Sequence, residues 1–327
     1  MSPLFLLFKG LEAARGASHE QLNLEIRILD KLKIVCAVFF VAALALLGVY
    51  MVRDNAGKDR AEPVIKVDGD RIEVSVKDGE EALMQGVTAE DAEDGDLTDK
   101  VIVESIGRFG ADGCRTVTYA VIDSDSLVGH ATRKLAYTDY TPTRFSMDKP
   151  LSFEMGTTNL TSRIFAFDSL DGDLTSSVKL TSEEGIEVNQ SGIYKAQLKV
   201  TNSAGATTVL PVNIEIYDPA VRSSVPLITL SDYVVYIARG ADFDPAKYLQ
   251  SVTTRGTEYT FTKEEGTYSV ADAAEGTQGN TINYEYVGIE SNVNPEVAGN
   301  YEVQYTFSDG MGITGMTTLY VVVTEGV

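Results

Sequence analysis

The sequence predicts a mainly β protein: three antiparallel β-sandwiches in tandem, preceded by one N-terminal transmembrane α-helix. Three observations carry this. Residues 34–52 form an uncharged apolar run, the rest of the chain repeats with a period near 80 residues, and each repeat contains a strand of strict two-residue alternation. A chain of 327 residues has room for two or three domains, and 44% hydrophobic with 23% charged residues is a globular composition. The net charge of −21 argues against nucleic acid as a partner, because phosphate binding needs the opposite sign. Two histidines (His19, His130), two cysteines (Cys36, Cys114) and no tryptophan leave little material for enzyme chemistry.

Residues 1–33 read as a cytoplasmic juxtamembrane segment. Leu22, Ile26, Leu29 and Leu32 would line one helical face, while Leu22, Leu24, Ile26 and Ile28 also alternate, so the periodicity fits helix or strand. Beside a membrane span it is read as a helical extension, with His19 solvated. Ile34–Val52 is 19 residues without a charge, and at 1.5 Å per residue it covers roughly 28 Å, close to the ~30 Å hydrocarbon core. Lys31 and Lys33 precede it, Arg53 and Asp54 follow, and Tyr50 falls at the interface. A soluble core helix would carry a polar stripe, and this run has none. It is also longer than the apolar part of a cleaved secretion signal and begins far from the N-terminus. Cys36 lies at the start of the run, with no small-residue processing site before it, so a lipoprotein anchor is not indicated. The run reads as an uncleaved signal anchor in which Cys36 is a small hydrophobe. Arg27, Lys31 and Lys33 on one side balance Arg53, Lys58, Arg60 and Lys66 on the other. Net charge orients the span better: residues 1–52 carry +1 and residues 53–327 carry −22, which places the C-terminal part outside the cell.

Residues 53–61 are short and polar, as a linker is. Beyond them Asp94-Gly95-Asp96-Leu97-Thr98 recurs as Asp171-Gly172-Asp173-Leu174-Thr175, 77 residues later. A second anchor occurs three times, as Gly113 to Asp123, Gly192 to Asn202 and Gly299 to Asp309. On one face it collects Val117, Tyr119, Val121, then Ala196, Leu198, Val200, then Val303, Tyr305, Phe307, with mostly Thr, Lys, Gln and Glu on the other. Such alternation belongs to antiparallel sheets covered on one side. Turns follow at Asp123 to Ser126, Asn202 to Gly205 and Ser308 to Gly310, and each copy opens on a proline, Pro63, Pro142 and Pro226. From that proline to the glycine of the long strand is 50, 50 and 73 residues. The third copy therefore carries about 23 extra residues within Thr253–Pro295, read as a lengthened hairpin or loop. The domains predicted are 62–140, 141–219 and 223–327, the last with the insertion.

With these motifs in place, the repeats resemble the bacterial surface immunoglobulin-like domains, the type also found in a pesticidal crystal toxin. That type has an opening Pro-x-Ile, an Asp-Gly-Asp-Leu/Ile-Thr segment and a Gly-x-Tyr-x-Val-x-Tyr-x-Val-x-Asp strand. The first copy has Arg115 where the pattern has Tyr, and the third lacks the Asp-Gly-Asp segment. The resemblance covers roughly residues 62–324 and implies tandem extracellular arrays that act as spacers or adhesive stalks, without a particular ligand.

Asp91, Asp94 and Asp96, and again Asp168, Asp171 and Asp173, place three carboxylates within six residues. These hard oxygens are candidate ligands for Ca²⁺, the one cofactor the sequence brings forward. The spacing is not that of the helix-loop-helix calcium loop, and the alternative is a tight Asp-Gly turn whose side chains hydrogen-bond nearby backbone. A glycosidase pair is disfavoured by the duplication, and His130 alone cannot furnish a triad or a zinc site. Cys114 shares a strand face with Thr116 and Thr118, so a partly exposed thiol is expected. The reading of the whole is a non-enzymatic surface protein, anchored in the cell membrane through residues 34–52, with an extracellular protein or glycan as partner. The insertion in the third copy is the expected contact, with Tyr259, Phe261, Tyr268, Tyr284 and Tyr286 as candidates. The alternative is a spacer subunit of an envelope complex assembled through its N-terminal helix.

Overall fold

The structure, a computed structural model, describes residues 33–52, 61–264, 267–272, 287–309 and 311–325, the side chains of 260–264 and 267–272 excepted. Its first element, α1 (Lys33–Val52), has 20 residues, is long and apolar enough to cross a membrane, and is exposed along its whole length. Soluble helices bury an apolar stripe; one that is apolar all round and unburied is suited to lipid. Tyr284, Tyr286 and the segments 1–32 and 53–60 lie outside the described residues.

The strands fall into three consecutive sets. The first holds β1 (Val64–Val67), β2 (Arg71–Val74), β3 (Val87–Asp91), β4 (Gly95–Asp96), β5 (Ile102–Ile106), β6 (Arg115–Ile122) and β7 (Val128–Tyr137). The second holds β8 (Arg144–Met147), β9 (Ser152–Glu154), β10 (Ile164–Asp168), β11 (Gly172–Asp173), β12 (Lys179–Thr181), β13 (Gly192–Thr201) and β14 (Thr207–Tyr217). The third holds β15 (Leu227–Leu230), β16 (Val234–Ala238), β17 (Leu249–Thr254), β18 (Thr257–Glu264), β19 (Thr267–Asp272), β20 (Val287–Ser291), β21 (Gly299–Ser308) and β22 (Thr314–Thr324). Each set makes two sheets of matching order: β1-β3-β4 with β2-β7-β6-β5, β8-β10-β11 with β9-β14-β13-β12, and β15-β17-β18-β19 with β16-β22-β21-β20. In every set the second strand runs parallel to the last one, while the other registered pairs are antiparallel. These are the three β-sandwiches that the sequence predicts.

Alternation places the core. Val117, Tyr119, Val121, Ala196, Leu198, Val200, Val303, Tyr305 and Phe307 are all buried, because the strand period of two turns each of them inward. Within the stretch that carries the insertion of the third copy, the structure describes the hairpin β18–β19 (Glu264 opposite Thr267). Strand β18 takes the place that the two-residue strands β4 and β11 hold in the other sandwiches, and β19 adds a fourth strand. Two glycines in the last strands have a steric cause. A Cβ on Gly129 would lie 1.8 Å from the Pro63 carbonyl oxygen, and one on Gly315 would lie 1.9 Å from that of Pro226. In the first and third sandwiches the opening proline thus crosses the final strand at a distance that only glycine tolerates, whereas β14 of the second contains no glycine.

Cys114 differs from expectation, being buried. Strand β6 starts only at Arg115, so the alternation does not extend back to Cys114. Its carbonyl instead accepts from Gly110 N at 2.7 Å and its N–H donates to Asp112 Oδ1 at 3.1 Å, in the turn that precedes β6.

The chain divides into two compact units, Met1–Val64 with Ala89–Lys100 and Val121–Gly129, and Ile65–Thr88 with Val101–Ala120 and His130–Val327. Within the second unit one hydrophobic cluster runs without a break from Phe145, Leu198 and Ile214 to Ile228, Leu319 and Val321. The second and third sandwiches are therefore joined by a shared core.

Candidate functional site

The paired acidic segments form two copies of one hydrogen-bonded circuit. In the first, Asp91 Oδ1 accepts from Glu93 N and Asp94 N, both at 2.9 Å. Asp94 Oδ2 accepts from Ser124 N at 2.6 Å, and Asp96 Oδ1 from Thr98 N at 2.9 Å. In the second, Asp168 Oδ1 accepts from Leu170 N at 2.9 Å and Asp171 N at 3.3 Å. Asp171 accepts from Ser203 N and Oγ at 2.5 and 2.6 Å, and Asp173 Oδ1 from Thr175 N at 2.9 Å. Thr98 and Thr175 in turn accept from Ala89 N and Ala166 N, each at 3.1 Å. The circuit ties the strand before each turn to the tight Gly95 or Gly172 turn, both glycines at positive φ.

These bonds set the electrostatics. The N–H groups of Asp94 and Glu93 hold the Asp91 carboxyl below its ordinary value of 3.8, and the hydroxyl and N–H of Thr98 and Thr175 do so for Asp96 and Asp173. The hydrogen bonds to these carboxylates come from backbone N–H groups and from Ser, Thr and Asn side chains. Among the described residues no group of three or more His, Cys, Asp or Glu is placed to hold a metal ion; the hydrogen bonds are those of an Asp-Gly turn.

The copies differ at one oxygen. Asp168, fully buried, has its Oδ2 accepting from Thr143 Oγ1 at 2.6 Å and Asn202 Nδ2 at 3.2 Å. The matching oxygen of Asp91 is buried with no hydrogen-bond partner, because the positions that match Thr143 and Asn202 are Val64 and Asp123. Asn202 Nδ2 also donates to Tyr140 Oη at 2.9 Å, and Tyr140 lies against Phe109 with ring centroids 4.8 Å apart. Phe109 N donates to Ala204 O at 3.0 Å. The second acidic circuit is thus wired into the junction with the preceding repeat.

Of the aromatic candidates in the third sandwich, Tyr259 is half-buried on β18 opposite Val252. Phe261 is opposite Val270, and Tyr268 opposite Lys263. The structure brings forward other tyrosines that sequence reasoning missed. Tyr236 Oη accepts from Phe145 N at 2.7 Å and Tyr320 Oη from Asn213 N at 2.8 Å, each joining the third sandwich to the second. Burial pushes both hydroxyls up in pKa. The signal was present: Val234-Val235-Tyr236-Ile237 and Leu319 to Val323 are apolar on both faces, which marks a strand covered on both sides. Next to this joint a cleft of about 690 Å³ is walled by Lys195, Gln197 and Asn213 on one side and by Asn300, Tyr301 and Glu302 on the other.

No known protein-family profile matches the chain. An uncharacterized 81.3 kDa protein of Acholeplasma phage L2 is 26% identical over 168 residues, 50% of this chain and 19% of that protein. The chain thus spans about a fifth of the length of the curated relative it matches. Among solved structures, CBM51-2 in complex with GlcNAc and INT domains from Clostridium perfringens ZmpB align at 23% identity, over 46% of this chain and 26% of that one, with a TM-score of 0.20. Human CDH23 EC21-23 aligns at 14% identity over 80% of this chain and 100% of that one, also with a TM-score of 0.20.

Proposed function

We propose that the chain is a non-enzymatic, membrane-anchored cell-surface protein whose immunoglobulin-like sandwiches serve as an interaction module for protein or glycan partners. The observation that carries this is the exposed, apolar α1, uncharged over residues 34–52, followed by a strongly acidic series of sandwiches. Helix α1 is the signal anchor, with the N-terminus in the cytoplasm and the array outside. The acidic circuits act as fold determinants, since each of their carboxylates accepts at least one backbone N–H. The insertion within Thr253–Pro295 is the partner contact in this reading.

Protease added to intact cells should remove the array, and its protection would reverse the orientation. Replacing residues 257–286 by a short turn should abolish partner capture, whereas exchanging residues 1–52 for another anchor should leave it intact. The opposite pair of outcomes would make the N-terminal helix the recognition element and the sandwiches a spacer.

A further inference from the structure

The second sandwich carries a basic face on an acidic chain. Strand β13 exposes Lys195, Gln197 and Lys199 on its outer side, at alternate positions. The register places Lys179 of β12 directly opposite Lys199, and Asn213 of β14 opposite Lys195. None of the three lysines makes an ion pair among the described residues. Like charges directly opposite on neighbouring strands destabilise a sheet, so the Lys179–Lys199 pair works against the fold, and an anion placed over it would relieve the repulsion.

The adjoining cleft narrows the class of anion. Its volume of about 690 Å³ lies within the usual range for small-ligand sites, about 300–1,000 Å³. The wall is fixed in place: Asn213 Nδ2 donates to Glu302 Oε2 at 3.1 Å, Glu302 N donates to Asn292 Oδ1 at 2.9 Å, and Asn300 Nδ2 donates to Val209 O at 3.3 Å. Amides and a carboxylate with remaining donor and acceptor capacity suit sugar hydroxyls. Glu302 with Glu183 and Glu184 in the same lining would repel a densely charged chain such as a nucleic acid or an acidic peptide. One carboxylate per sugar ring, set among hydroxyls, meets both requirements.

We propose that this lysine face and the cleft beside it bind an acidic oligosaccharide, the lysines holding its anionic groups and the cleft amides its hydroxyls. The inference rests on the interaction-module reading and adds a site and a ligand class to it. The test titrates the full-length protein in detergent micelles with tetragalacturonate. Binding should weaken with salt. It should fall by about tenfold or more in the triple variant Lys179→Glu, Lys195→Glu, Lys199→Glu, and by less in the corresponding triple Gln variant. Lys247→Glu should leave it unchanged. Asn300→Ala should weaken tetragalacturonate but not inorganic polyphosphate. Absence of binding, or binding unchanged in both triple variants at an unaltered melting temperature, overturns the proposal. So does equal binding of polyphosphate or polyglutamate with no effect of Asn300→Ala, which reduces the face to a general polyanion surface, and so does equal binding of a neutral tetrasaccharide. Partner capture that persists without sugar binding sinks this site and leaves the interaction module standing. Protection of the array from external protease removes that module's surface location and leaves the titration intact.

Discussion

Asp168 accepts hydrogen bonds from Leu170, Asp171, Thr143 and Asn202 from a fully buried position, whereas Asp91 accepts from two backbone groups and leaves Oδ2 without a partner. Removing a buried acceptor strands its donors, at about 1–3 kcal/mol for each. Asp168→Ala should therefore lower stability by about 3 kcal/mol or more, and Asp91→Ala by distinctly less, in denaturant titrations of the two variants. Gly315→Ala forces a Cβ onto the Pro226 carbonyl and should cost about 1–3 kcal/mol as an overpacking substitution. Alternation made the inward residues of the long strands legible, since a period of two needs no tertiary knowledge. It could not reveal Arg133, which is buried on β7 and donates to Tyr119 Oη at 2.7 Å. Nor could it reveal Asn202 beneath a turn. In both cases a distant partner decides which polar side chain goes inside.

The acidic turns are the elements whose role the structure sharpens. Asp91, Asp96 and Asp173 have depressed pKa values. Their contribution is complete above the ordinary value of 3.8 and is lost as pH falls through the lower folded values. Melting temperature should thus hold from neutral pH down to about 4 and decline below it. Millimolar Ca²⁺ or chelator should leave it unmoved at neutral pH, and a rise with Ca²⁺ would contradict the turn assignment. On β12, Lys179→Thr relieves the like-charged pair with Lys199 and should raise stability by about 0.2–1 kcal/mol in the same assay. The strand following each turn and the extra hairpin of the third copy were readable from spacing. That β18 would stand where the other sandwiches have β4 and β11 was not, because sheet neighbours are set by packing and not by the count of residues between them.

For the whole molecule, the shared cluster across the second and third sandwiches makes them one cooperative unit, so calorimetry should show a single transition for both. Tyr320→Phe, which leaves Asn213 N without its acceptor, should lower that common transition and not split it. Tandem repeats in sequence imply separable domains, and here the implication fails where both faces of β16 and β22 are apolar. The same joint has a mechanical meaning. Two sandwiches fastened through side-chain packing and the hydroxyls of Tyr236 and Tyr320 resist a pull on the chain until the joint parts at once. The pair would then lengthen in one step under load instead of stretching evenly.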